Sequence, residues 1–315
     1  MMTLENQKDE DENVLTVGIP VFNDPKGVKE SIDSVFNQTW HGKKQVLIID
    51  DGSTDQTPAV LNDMQSQYHD ILIYRNKKNQ GRPYSRNLIL EYAKGDYLAW
   101  IDAGDIWYPQ KLEIQFQTLE KHLSDKKPVI CTCPFQWSWI DKKTNDKLRR
   151  PVIAGDQLLN VIKGTLYPYL WTMLGPLDSF RIVGGFDERL LRRQDYDFTI
   201  RFLEAGGKFI APAVNEPLCI YLKTDVGRSG KDVTLSNAVI WEKHKSIYRR
   251  YGRLFALNIR RRQFILSSRF YKANKKYLYW LKYAALEKIL FFLTGRFIKK
   301  VLRYFRRKMR FNNSS

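Results

Sequence analysis

The sequence predicts an α/β fold with a mostly parallel central sheet, and three observations carry that prediction. Short apolar, β-branched runs recur at 14–21, 46–49, 71–74 and 97–101. Segments with apolar residues at helical spacing lie between them. The second and fourth runs end in acids, Asp50-Asp51 and Asp102 with Asp105. Strands that alternate with helices imply βαβ units and a parallel sheet. A short continuous apolar run closed by polar residues reads as a strand buried in such a sheet.

The elements follow in order. VLTVGIPV, 14–21, is closed by the turn signal Phe22-Asn23-Asp24-Pro25. Val28, Ile32, Val35 and Phe36 give 27–38 a helical period. The run 46–49 feeds Asp50-Asp51-Gly52-Ser53-Thr54-Asp55, and a helix over 57–68 places Val60, Leu61 and Met64 on one face. A strand at 71–74, a glycine-containing loop at 79–86 and a helix at 84–93 come next. After the strand at 97–101, a helix runs from Lys111 to about His122. The stretch 129–139 is apolar and strand-like, a polar turn follows at 141–146, and 171–187 is rich in loops and aromatic residues. No internal repeat is visible.

A chain of 315 residues can bury a large core and fits one α/β unit plus an appendage. The three cysteines form no disulfide framework, and Cys131-Thr132-Cys133 lacks zinc spacing, so buried thiols in a reducing compartment are expected. Residues 1–13 lack the basic patch and apolar core of a signal peptide and read as a disordered acidic lead. The net charge of +18 is unevenly placed. From residue 241 onward 22 lysines and arginines face only Glu242 and Glu287, which leaves the first 240 residues at −2. Such asymmetry points to an anionic partner.

Residues 241–311 mix basic and apolar groups. Leu286, Ile289, Leu290, Leu293, Phe297, Val301 and Phe305 approximate an apolar stripe at helical spacing. Lys282, Glu287 and Lys288 interrupt the most apolar window, 277–295. An interfacial helix on an anionic cytoplasmic leaflet is therefore expected, rather than a membrane span. A helical subdomain with a solvated basic face is the plainer reading. Nucleic-acid binding is disfavoured because no recognition motif accompanies the charge.

The carboxylates suggest chemistry. In open α/β sheets ligands bind beyond the carboxyl ends of the strands. Asp102 and Asp105 placed there suit a hard divalent ion working beside substrate phosphates, although a capped turn would also use them. Asp50 to Asp55 can likewise be a capping turn. Arg82 and Arg86 can pair with phosphate or carboxylate, but the lone glycine of their loop matches neither GxGxxG nor P-loop spacing. Asp195 and Asp197 sit at the start of a helix, where the dipole favours acids; a general base is the functional alternative. Trp137, Trp139 and Trp171 suit core packing or sugar stacking.

The order PVFN, SVFNQT, IIDDGSTD, NQGRPYSRN, WIDAGD and PQKL, followed by GGFDERLLRRQDYDFTIRFLEAGG at 184–207, resembles the family 2 glycosyltransferases with a GT-A fold. The resemblance covers roughly 14–222. It implies a GT-A, Rossmann-like domain over 14–240, with a nucleotide-sugar half at 14–112 and an acceptor and catalytic half at 113–240, ahead of the basic helical region 241–315. It implies a nucleotide-sugar donor, most often UDP-linked, with Asp50 and Asp51 at the base or ribose and Arg86 in the loop that holds the nucleotide. Asp102 falls at the first aspartate of the DxD motif, where the family contacts the metal and the ribose of the nucleotide. Gly104 replaces the second, which leaves Asp105 as the other candidate ligand for Mn²⁺ or Mg²⁺. Asp195 falls at the base, with Gln194 where the family carries Glu, and a single displacement inverts the anomeric centre. No His occurs in YLKTDVGRSG, so Lys223 or Arg228 is expected at the diphosphate, and Trp171 is a candidate acceptor contact. QxxRW is absent, which favours transfer of one sugar.

The expectation is a cytoplasmic enzyme at the inner face of a membrane, acting on a glycan or lipid-linked acceptor. A non-catalytic nucleotide-sugar-binding or scaffold protein is the rival. A nucleotidyltransferase is a further one, without a triphosphate loop near the first strand.

Overall fold

The computed structural model describes residues 14–124, 127–139, 147–223 and 229–295. The chain forms two compact units, Met1–Glu188 with Gln194–Thr224, and Arg189–Arg193 with Asp225–Ser315.

The first unit begins as the sequence predicts. β1 (Leu15–Val21), α1 (Pro25–Phe36), β2 (Lys44–Asp50), α2 (Thr57–Gln67), β3 (Ile71–Arg75), α3 (Arg82–Tyr92) and β4 (Tyr97–Trp100) alternate. β1 pairs in parallel with β2 and β4, and β2 in parallel with β3. Every residue of β1 and β4 is buried, which is why these runs are apolar at successive rather than alternate positions. Asp24 caps α1 by accepting a hydrogen bond from Gly27 N at 2.9 Å.

The second half departs from the reading of the sequence. β5 (Ile106–Trp107) and α4 (Lys111–Glu120) lead to β6 (Val129–Cys131) and β7 (Phe135–Trp139). The apolar stretch 129–139 is thus two strands in different sheets. Pro134, which has no N–H to give a ladder, separates them. β8 (Lys147–Arg149), α5 (Gln157–Lys163), β9 (Leu174–Pro176), α6 (Leu177–Arg181), α7 (Gln194–Glu204), β10 (Lys208–Ile210) and β11 (Cys219–Lys223) follow. Among the described residues one sheet has the order β10-β6-β9-β4-β1-β2-β3 and a smaller one the order β5-β11-β7-β8.

β9 is antiparallel to both β4 and β6 and lies between them, so the sheet is mixed. Gly175 makes this possible: a Cβ there would meet Val129 O at 2.8 Å.

α4 carries an unusual core residue. Lys111 is fully buried, donates from Nζ to Gln115 Oε1 at 2.6 Å and lies 3.9 Å from the Trp107 ring centroid. Burial lowers its pKa, against the charges of the neighbouring cysteines. A lysine whose folded pKa lies below the unfolded value of about 10.4 contributes fully above that pH and is a growing liability as pH falls through the folded value. Lys111→Met is therefore expected to be at least as stable as the wild type at pH 7. Its advantage should shrink by pH 10, as read by urea denaturation at both values. The three cysteines are free and buried, and burial first, then the Cys133 charge, pushes the Cys131 thiol up to about 12.

The second unit contains α8 (Gly230–Arg250), α9 (Arg253–Ala273) and α10 (Tyr277–Leu293). The boundary expected between 240 and 241 falls inside α8, because Ser229 caps one continuous helix through Lys231 N and Asp232 N. Asn237 ties α8 to α9 by donating to Gln263 O and Ser267 Oγ at 3.1 and 3.2 Å. α10 packs on α9 through Tyr271 stacked with Tyr279 and Tyr283, and through the Arg261–Glu287 ion pair. Among the described residues no helix is long and apolar enough to cross a membrane.

Candidate active site

The ends of β2 and β4 and the starts of α3 and α7 carry the candidate residues Asp50, Asp51, Asp102, Asp105, Arg86 and Asp195. At the end of β2, Asp50 is buried, accepts from Ser53 N at 2.9 Å and pairs with Arg75 Nε at 3.2 Å. Asp51 is also buried. Its Oδ1 accepts from Asn76 Nδ2 and Gln80 N at 2.7 and 2.9 Å, and its Oδ2 from Gly81 N at 2.7 Å. Asp51 thus shapes the loop that starts α3. Asn23, after β1, joins the same region: its N donates to Ser53 Oγ and its Oδ1 accepts from Thr54 N.

α3 presents two arginines. Arg86 is buried and donates from Nη2 to Asp102 Oδ1 at 2.7 Å and Oδ2 at 3.0 Å, and from Nη1 to Gln194 Oε1 at 2.6 Å. Arg82 is half-exposed and reaches Asp102 Oδ2 at 3.5 Å. Charge on Asp102 first, then Tyr221, Asp105 and Asp195, raises the Arg82 pKa. One guanidinium therefore senses acids from the end of β4 and from α7. Burial favours the neutral Asp102 carboxyl, but Arg86 and Arg82 outweigh it and hold that carboxyl below its ordinary value.

Asp105 differs. It is buried, and its Oδ2 has no hydrogen-bond partner among the described residues. Burial and the charge on Asp102 push its pKa well up. An unpartnered carboxylate oxygen beside an ionised aspartate fits a hard cation, whose charge would offset both. Among the described residues no group of three His, Cys, Asp or Glu side chains surrounds such an ion, so further ligands would come from phosphate and water. Gly104 has a φ of 90°, a conformation that L side chains rarely adopt. An aspartate at the third motif position would be strained in this turn, and the acid stands one residue later.

Asp195 is half-buried in the first turn of α7 and accepts from Tyr196 N at 3.0 Å. Asp197 is buried and paired with Arg201 at 2.9 Å. Arg201 in turn donates to Val183 O and Gly185 O, so this acid is committed to holding the GGFDE turn. Trp171, a candidate acceptor contact, is buried: it stacks on Tyr169 and Tyr221 and meets Phe135 edge-on at 4.8 Å. The geometry favours the packing role. The Lys223 backbone belongs to β11, whereas its side chain and all of Arg228 lie outside the described residues.

Two site residues escaped the sequence reading. Ser31 accepts from Gly104 N at 3.0 Å and donates to Asp105 O at 2.7 Å, which fixes the Asp102–Asp105 turn. Its signal was a serine on the apolar face shared by Val28, Ile32 and Val35. Asn87 pairs with Phe186 through both its amide oxygen and nitrogen, which tethers the 184–188 turn to α3.

Comparison with known proteins places this arrangement. The model for glycosyl transferase family 2 matches residues 16–167. An uncharacterized glycosyltransferase of Rickettsia typhi is 30% identical over 204 residues, 62% of this chain and 60% of that protein's length. The Bacillus subtilis protein EpsE, a glycosyltransferase by its name, is 34% identical over 61% of this chain and 67% of its own length. Among solved structures, S. aureus TarS 1-349 in complex with UDP-GlcNAc has a TM-score of 0.58 at 15% identity and covers 91% of each chain. The mannosyltransferase PcManGT from Pyrobaculum calidifontis, in complex with GDP-Man and Mn²⁺, has a TM-score of 0.55 at 15% identity and covers 93% of this chain and 88% of its own. These structural likenesses show a GT-A-like α/β fold. The chain belongs to glycosyl transferase family 2.

Proposed function

We propose that the chain transfers one sugar from a nucleotide-linked donor, UDP-linked by preference, to a hydroxyl of a glycan or lipid-linked acceptor, with inversion. The observation that carries this reading is that Arg86 joins Asp102, at the end of β4, to Gln194, the neighbour of Asp195 at the start of α7, with the half-exposed Arg82 3.5 Å from Asp102. Such a cluster offers both halves of the reaction: cations for a departing diphosphate and a carboxylate for an attacking hydroxyl. Solved family-like structures bound to UDP-GlcNAc or GDP-Man support the donor class.

Asp50 and Asp51 shape the pocket for the base and ribose. Asp195 takes the proton from the acceptor hydroxyl as its oxygen bonds to the anomeric carbon. The bond from that carbon to the diphosphate oxygen breaks with its electron pair on the leaving group. Arg82 and Arg86 offset that charge, joined by Lys223 and Arg228 on the sequence reading. Asp102 and Asp105 would hold Mn²⁺ or Mg²⁺, which supplies further positive charge to the diphosphate. Region 241–311 is assigned to an anionic membrane surface, where a lipid-linked acceptor would reside.

A panel of nucleotide sugars, assayed for nucleoside diphosphate release with membrane extract as acceptor, tests the reading. Release from one donor, abolished by EDTA and restored by Mn²⁺ or Mg²⁺, is expected. Tight nucleotide binding without release from any donor would favour the non-catalytic binder.

A further inference from the structure

α10 is apolar on two faces, and the described residues of the second unit pack on one of them. Its sequence is YLYWLKYAALEKILFFL, and none of its residues is buried. A contiguous exposed apolar face marks an interaction or membrane site. Tyr279, Tyr283 and Glu287 take part in the packing on α9. Leu278 is 83% exposed, and Leu281, Ile289 and Phe292 are each more than half exposed. At 100° per residue these four share one side of the helix, a ridge roughly 21 Å long at 1.5 Å per residue. The ridge shares Ile289 with the stripe read from the sequence, and Leu293 of that stripe is exposed as well. Leu286 and Leu290 are only half-exposed, and Phe297, Val301 and Phe305 lie outside the described residues.

The charge around the ridge selects its occupant. Lys282 and Lys288 flank it and are exposed. Of the two acids after residue 240, Glu287 is engaged by Arg261 and lies within 3.7 Å of Lys288. The surface is therefore apolar and cationic, within a region of net charge +20. A second copy would bring like charge against like charge. A nucleic acid would meet a leucine ridge. Tyr277 and Tyr279, more than half exposed at the start of the helix, are residue types suited to a membrane–water interface.

We propose that Leu278, Leu281, Ile289 and Phe292 insert among the acyl chains of an anionic bilayer, with Lys282 and Lys288 at its headgroups, so that α10 lies in the membrane plane. The proposal rests on the membrane assignment of region 241–311 and supplies its contact face.

The test uses the full chain with phosphatidylcholine vesicles, with and without phosphatidylglycerol, in a flotation assay. Wild type is expected to float with the anionic vesicles and to bind the neutral ones about ten-fold or more weakly. Leu281→Gln/Ile289→Gln/Phe292→Gln should lose at least about ten-fold in anionic binding, with unchanged helix content by circular dichroism. Lys282→Gln/Lys288→Gln should lose binding and salt sensitivity together. Equal flotation of the apolar triple variant and wild type would overturn the proposal. So would a wild-type dimer in lipid-free ultracentrifugation that the triple variant abolishes, or vesicle binding that single-stranded RNA displaces in the wild type. Nucleoside diphosphate release with membrane extract as acceptor is measured on the same proteins. Its absence would count against the transferase reading alone, because vesicle binding needs no turnover.

Discussion

Asp195→Asn is expected to lower kcat by about 10²–10⁴-fold while nucleotide-sugar affinity stays within about two-fold. The substitution keeps the shape of the side chain and an oxygen for Tyr196 N, the bond Asp195 makes at 3.0 Å. It removes only the capacity to take a proton. If Asp195 served the helix dipole alone, its loss would cost about 0.3–1 kcal/mol of stability and leave kcat nearly intact. Steady-state kinetics with the identified donor, paired with thermal denaturation, separates the two roles. A fall in kcat with an unchanged Tm supports the base. An unchanged kcat eliminates it.

The second large effect is expected at the Arg86–Asp102 pair. Removing one partner of a buried ion pair costs about 3–5 kcal/mol where nothing replaces its charge; Arg82, 3.5 Å from Asp102, places Arg86→Met at the low end of that range. Arg86→Met should therefore lower Tm by roughly 10 °C, and it also removes a donor from Gln194 Oε1. Asp102→Asn should be costly for the same reason. The double variant should fall short of the summed losses by about 0.5–3 kcal/mol, because the second substitution removes a charge already stranded. The effect has a defined pH dependence. The Asp102 carboxyl is held below its ordinary value in the folded chain. Its contribution is thus complete above the unfolded pKa of about 3.9 and is lost as pH falls through the lower folded value. The gap between wild type and Arg86→Met should be widest near neutrality and close in acid. A gap that persists undiminished at low pH would show that Arg86 stabilises through packing on Phe186, 5.7 Å from its ring, and not through charge.

Legibility followed burial and length. β1, β2 and β4 were readable because strands covered on both faces must be apolar at each position. β9 was not. It has three residues, Leu174, Gly175 and Pro176, two of them types that strands avoid. Only the close approach to Val129 O explains the glycine, and that neighbour is 46 residues away in sequence. The acids at the ends of β2 and β4 were visible as motifs. Their commitments were not, since Asp51 spends both oxygens on the 76–81 loop, while Asp105 leaves one unpartnered. Trp171 shows the reverse case. An aromatic beside a cleft in sequence is a ring in a buried stack in space. Ser31 was hidden because the atoms it orders, Gly104 N and Asp105 O, lie more than 70 residues away.

The place of β9 also sets an order of events during synthesis. Among the described residues β6 and β10 join the β1–β4 part of the sheet through Leu174–Pro176. Until that segment leaves the ribosome, β4 is an edge, and Tyr97–Trp100 offers a row of unpaired backbone groups between apolar side chains. A nascent chain halted before residue 174 should therefore be a stronger client for chaperones, and more prone to aggregate, than one released a few residues after 176. Closing the sheet through a three-residue splint, some 75 residues after the strand it covers, also loads the chain with long-range contacts. Refolding from denaturant should be slow for that reason, with a late phase that a bulky residue at 175 would lengthen or abolish.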